Sequence, residues 1–220
     1  MNIVFRRTLR GASILAIAVA VFLSTAHATE PAAPTTAPAK TADTSTPAGT
    51  AAAFVEAICR GDVQAAERLC ECDRDDEPAL TISLKQECAD IRLHTAATKA
   101  FGQRGNVGWF AQGCTDNEAR RSAAAAKFVV DGDTATSDRL RLKRSDGAWR
   151  IVPDKSYLKF NLTALKLVAA KQLTAREIEA GHCRTPADAQ KTFQARFAEM
   201  DEALGALSGS SDIAAAVSPK

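Results

Sequence analysis

The chain has 220 residues, 46% of them hydrophobic and 25% charged, and a formal net charge of +2. That is enough apolar material for one core with appendages. The near-neutral charge and an aromatic content of 5% exclude a strongly basic or base-stacking nucleic-acid binder as the default reading.

Residues 1–28 read as a secretory signal peptide. Arg6, Arg7 and Arg10 form a positive start, an apolar run extends from Ala12 to Leu23, and Ala26-His27-Ala28 is a small-x-small cleavage site before Thr29. The run is too short for a typical membrane span, so none is expected after cleavage. No cysteine stands at the cut to carry a lipid. Cleavage removes three arginines and leaves 25 basic against 26 acidic side chains, so the positive excess belongs to the targeting segment. An exported protein, periplasmic or secreted, is the expectation. Residues 29–50 are almost all Ala, Thr, Pro and Ser, a composition that cannot offset the entropy of ordering, and read as a disordered linker. Residues 208–220 read as a frayed tail, which leaves 51–207 as the folded domain.

Phe54, Val55, Ile58 and Cys59 fall on one face of a first helix. Gly61 interrupts it, and Asp62 caps a second, short helix with Val63, Ala66, Leu69 and Cys70 inward. The acidic stretch from Cys72 to Pro78 reads as a solvated loop. It lacks the glycine and terminal bidentate acid of a hand-type calcium site. A long helix runs from about Ala79 to Phe101 with Leu80, Leu84, Cys88 and Ile91 as its stripe, and Gly102 stops it. The glycine-rich stretch around Trp109 and Phe110 reads as loop, without the Lys-Ser/Thr of a phosphate-binding loop. Asp116 is placed as the cap of a turn of helix through Arg121.

Three strands follow: Lys127 to Val130, Thr134 to Leu142, and Ala148 to Val152, joined at Asp131-Gly132 and Asp146-Gly147 into an antiparallel meander. Two helices close the chain. One runs from Tyr157 to Ala180 with Leu158, Leu162, Leu165 and Ala169 on its stripe. The other is opened by Thr185-Pro186, with Phe193, Phe197, Met200, Leu204 and Leu207 as a two-heptad seam. The order gives an α+β fold, N-terminal helices packed on an antiparallel sheet, with Trp149 buried against the helices.

The first helix with its Gly-Asp break, Ala53-Phe54-Val55-Glu56-Ala57-Ile58-Cys59-Arg60-Gly61-Asp62-Val63, resembles the opening of the NTF2-like (SnoaL-like) superfamily. Val130-Asp131-Gly132-Asp133-Thr134 is similar to that superfamily's sheet hairpin. The stretch from Leu140 to Ile151, turning at Asp146-Gly147 and returning through Trp149, is similar to its closing hairpin. The resemblance covers residues 51–152. The long helix from Ala79 and the two C-terminal helices depart from it. It implies a cone-like body, with a ligand site on the concave face of the sheet against the helices, and points to Phe128, Trp149, Trp109 and His94 as pocket lining. The superfamily holds both enzymes and non-catalytic binding proteins, so it implies a location and not an activity.

His94 has no acidic partner marked by local spacing and reads as a surface or helix-edge residue. His182, after Gly181, suits a helix C-terminus. No catalytic, cofactor or metal residue is assigned, and Cys70-x-Cys72 is not a zinc-knuckle spacing. Six cysteines in an exported domain read as disulfide partners: Cys59, Cys70, Cys72, Cys88, Cys114 and Cys183. Antiparallel helices bring Cys59 towards Cys88. By elimination, Cys114 and Cys183 then take Cys70 and Cys72 in either order. The leading expectation is a non-catalytic module of the cell envelope that binds a small apolar ligand or an envelope protein. An isomerase- or cyclase-like enzyme using the cone and a homodimer through the C-terminal helix are the alternatives.

Overall fold

The computed structural model describes residues 43–102, 113–155, 158 and 162–208, with the side chains of 162 and 203–208 excepted. The signal segment, most of the linker, the glycine-rich stretch with Trp109, and the tail lie outside the described residues. The compact unit spans Thr41–Ala203. Of the second unit, residues 1–40 and 204–220, only the end of the last helix is described.

The described residues form six helices and one antiparallel sheet, an α+β arrangement. Helix α1 is Pro47–Arg60. The Thr46 side chain accepts from the Gly49 amide at its start, with proline in the first turn, and Gly61 ends it at φ 71°. Helix α2, Val63–Arg68, opens with the Asp62 carboxylate accepting from the Ala65 amide. Helix α3, Glu77–Phe101, ends at Gly102. Helix α4, Asp116–Ala125, differs from its expected form. Thr115, not Asp116, is the cap, in a reciprocal capping box with Glu118, and the alanines beyond Arg121 carry the helix one more turn.

The sheet has four strands, not three: β1 Val129–Asp131, β2 Thr134–Thr136, β3 Arg141–Ser145 and β4 Ala148–Ile151, in sequential order. The expected second strand breaks at Ser137. Its amide donates to the Leu140 carbonyl at 2.9 Å and its hydroxyl accepts from the Leu140 amide at 3.1 Å, closing a hairpin. Helix α5, Leu162–Glu179, starts later than expected. Leu158 is not helical and packs against the sheet-side core instead. Helix α6 is Pro186–Ser208. The Thr185 hydroxyl accepts from the Asp188 amide, and Asp188 accepts from the Thr185 amide at 2.9 Å.

Two apolar clusters hold these elements. The first packs Leu142, Trp149 and Ile151 of the sheet on Ile58, Leu80, Leu84, Cys88 and Ile91, with Phe54, Val55 and Phe128 at its margin. Trp149 is 5% exposed, as the strand register predicts. The second lies between α3, α5 and α6 and joins Leu93, Ala97, Ala170, Ile178 and Phe193. Helix α3 serves both. Its 25 residues, about 37 Å at helical rise, reach from the sheet to the C-terminal helices, and alanines at α3–α5 allow close approach. Phe193, 1% exposed and stacked on Phe197 with centroids 6.1 Å apart, is spent inside the chain. The described part of the C-terminal seam therefore packs on its own protomer.

The end of the expected linker belongs to the fold. The Trp149 amide donates to the Thr44 carbonyl at 2.8 Å. Thr50, fully buried, donates its hydroxyl to the Trp149 carbonyl at 3.2 Å. On the same strand the Ile151 amide donates to the Leu69 carbonyl at 2.8 Å, and the Ile151 carbonyl accepts from the Glu71 amide at 2.7 Å. The free edge of β4 is thereby closed by residues on both sides of α1 and α2.

Two outcomes are expected from urea denaturation. Trp149→Ala loses about 3–5 kcal/mol, whereas Val129→Ala, at a position 73% exposed, changes stability by less than about 0.5 kcal/mol. Thr50→Val strands the Trp149 carbonyl and costs about 1–2 kcal/mol.

Candidate functional site

The expected site was the concave side of the sheet. Its interior is filled: Ala135, Leu142, Trp149 and Ile151 are all buried in the first cluster, with Phe128 packed against them. Trp109 lies outside the described residues. His94 is 2% exposed, not a surface residue. It stands one turn after Asp90 on α3, close enough for its charge to act on the Asp90 carboxyl. Asp90 pairs with Lys171 of α5, which is itself buried. Burial pushes the Asp90 carboxyl upward, and Lys171 opposes that. His94 thus adjoins the ion pair between α3 and α5.

The open space lies elsewhere. A cleft of about 420 Å³ runs among α1, the start of α2, α3, α4 and α5. Its walls combine apolar surface from Val63 and Ile91, the thiols of Cys59 and Cys88, and polar groups from Arg60, Asp116 and Gln172. Charge on its rim is largely neutralised. Arg92 donates to both Glu179 oxygens, at 2.9 and 2.6 Å. Arg120 clamps α4 to α1, donating to Glu56 and to Asp116 at 2.8 Å each. The Asp116 amide donates to the Thr95 hydroxyl at 3.0 Å. A second hollow, about 600 Å³, lies beside Thr98, Lys99 and Thr115 at the end of α3.

The thiols are not set up as nucleophiles. Burial pushes Cys88 up to about 11 and Cys70 up to about 12. Burial also raises Cys59, against the pull of Arg120. The structure joins none of the six cysteines in a disulfide. Cys59, Cys70, Cys72, Cys88 and Cys114 all belong to the first cluster or pack against it, while Cys183 packs in the second, its sulfur 3.6 Å from the Thr192 hydroxyl. Cys70 and Cys72 neighbour each other. The acidic loop is a set of surface ion pairs, Asp73 and Asp76 on Lys155. His182 binds Glu177 at 2.6 Å at the end of α5. Among the described residues no cluster of three metal-ligating side chains occurs, and no helix is long and apolar enough to cross a membrane.

No family model, no curated protein and no solved structure matches this chain.

The α3–α5 pair gives a signed prediction. Lys171→Met leaves the Asp90 carboxylate buried without its partner and costs about 3–5 kcal/mol at pH 7. Asp90 has its folded pKa raised, so protonation relieves the penalty as pH falls through that value. The loss is expected to be smaller at pH 4.5 than at pH 7. Adding Asp90→Asn should recover most of it at neutral pH. Equal losses at both pH values contradict the assignment.

Proposed function

We propose that this protein is exported and serves in the cell envelope as a non-catalytic binding module with an NTF2-like body. The observation that carries this reading is the filled interior beneath the sheet. Where an enzyme of that superfamily would need an open cone and a buried acid or base, this chain packs Trp149, Leu142 and Ile151. Buried polar side chains among the described residues are Thr50, His94, Lys171 and Thr174. Thr50 bonds a strand carbonyl, Lys171 pairs with Asp90, and Thr174 bonds its own helix. These three are committed to structural partners, and His94 stands beside the Asp90–Lys171 pair.

Binding is assigned to the helical cleft. Val63 and Ile91 offer an apolar wall, and Gln172 and Arg60 offer hydrogen-bond donors. The combination suits a small ligand with an apolar body and a polar or anionic end, or a protein side chain of that character.

An amphiphilic fluorescent sulfonate, anilinonaphthalene sulfonate, tests the site on the folded protein. Micromolar binding is expected, and Gln172→Trp, which fills the cleft, should weaken it at least tenfold without altering the thermal midpoint. Binding that survives Gln172→Trp contradicts the assigned site. Export is checked separately by N-terminal sequencing of envelope-fraction protein, which should begin Thr29-Glu30-Pro31. An intact Met1 terminus contradicts it.

A further inference from the structure

Cys59 and Cys88 line the cleft, Cys114 stands close enough to Cys59 to act on its thiol, and the settings of the three differ. Cys88 is buried in the middle of α3. Cys59 is half-buried in the last turn of α1. Cys114 is half-buried and non-helical, directly before the Thr115 cap of α4. The Cys59 thiol already reaches towards α4: it donates to the Asp116 carbonyl at 3.8 Å, two residues past Cys114. The Arg120 bonds to Glu56 and Asp116 hold those two helix ends together.

We propose that Cys59 and Cys114 form the redox-active pair of this protein, a disulfide that staples the end of α1 to the start of α4 at the rim of the cleft. Cys88 is the poorer partner. It and Cys59 lie on two packed helices, whose axes in general stand about 8–10 Å apart, and neither backbone yields without breaking a helical ladder. Cys114 has no helical ladder to break. The oxidant is a disulfide donor, a protein or small-molecule disulfide. The Cys59 thiolate attacks one donor sulfur, the donor S–S bond breaks, and one donor thiolate leaves and takes up a proton. Cys114, losing its proton, then displaces the second donor thiol and closes the Sγ–Sγ bond. Two electrons and two protons pass to the donor. Burial raises the Cys59 thiol and Arg120 only partly opposes that, so the exchange runs through a small thiolate fraction that grows with pH. The bond fixes Cys59 and, through α4, Asp116, both of which line the cleft. Oxidation thereby sets the width of the proposed binding site.

Trypsin separates the candidates, because Cys59, Cys88 and Cys114 fall on the peptides 41–60, 86–92 and 105–120. The purified mature protein is oxidised to completion with glutathione disulfide, alkylated and digested without reductant. A 41–60/105–120 linkage is expected. A 41–60/86–92 linkage, or a Cys59 left alkylated or carrying glutathione, overturns the pairing. Cys59→Ser and Cys114→Ser should each lower the melting temperature of the oxidised protein by about 10 °C, with no further loss in the double variant. Each should leave that of the reduced protein within about 2 °C, which shows that both variants fold. An equal loss from Cys88→Ser overturns the assignment. In the cell the bond rests on export, since the cytosol keeps thiols reduced. Formation with glutathione disulfide but absence from envelope-fraction protein would overturn export and leave the pairing standing.

Discussion

The structure depends on the closed edge of one short strand. β4 has only four residues, and β3 satisfies one of its sides. The other side is the end of the sheet, where unpaired amides and carbonyls normally invite another chain. Here each group in reach is taken by the same chain. Thr44 arrives from before α1, Thr50 from its first turn, and Leu69 and Glu71 from after α2. These four bonds, separated by up to about a hundred residues along the chain, place α1 and α2 over the sheet. They leave Trp149 and Ile151 facing Ile58 and Leu80 in a dry cluster. The net worth of each bond is about 1 kcal/mol, but breaking one inside that cluster costs the full desolvation of its partner.

That arrangement explains where open space remains. The sheet face covered by Trp149, Leu142 and Ile151 packs on the helices and gives no wall to the cleft. The cleft arises instead where five helices meet around Cys59 and Cys88. Helix α3 makes this geometry. Its first half belongs to the sheet-side core, and its second half is claimed by α5 and α6 through small residues and the Asp90–Lys171 pair. The C-terminal helices thus brace α3 and do not lie over the sheet.

Much of the fold was legible because its punctuation is local. Gly61, Asp62, Gly102 and Pro186 act within one turn of their own positions, and the Asp-Gly turns set the hairpins. What was not legible depended on distant partners or on competing signals. Thr44 to Thr50 share the composition of a linker. Thr46-Pro47 is a helix-start signal, but the buried role of Thr50 is created by β4, 99 residues away. The break at Ser137 rests on a side chain bonding its own hairpin, which an alternating pattern hides. The Thr115–Glu118 box was a readable signal passed over in favour of Asp116. Burial of His94 follows from α5 packing on α3, which no local spacing encodes. The position of the cleft was invisible for the same reason: its walls run from Cys59 to Glu179 along the chain and come from five helices.

Native-state hydrogen exchange, residue by residue, tests the role of β4 most directly. The account predicts that the Trp149 and Ile151 amides, held by the Thr44 and Leu69 carbonyls, exchange only through global unfolding, with the slowest amides of α3. Their exchange through a local opening well below the global unfolding free energy, while α3 stays protected, would contradict it.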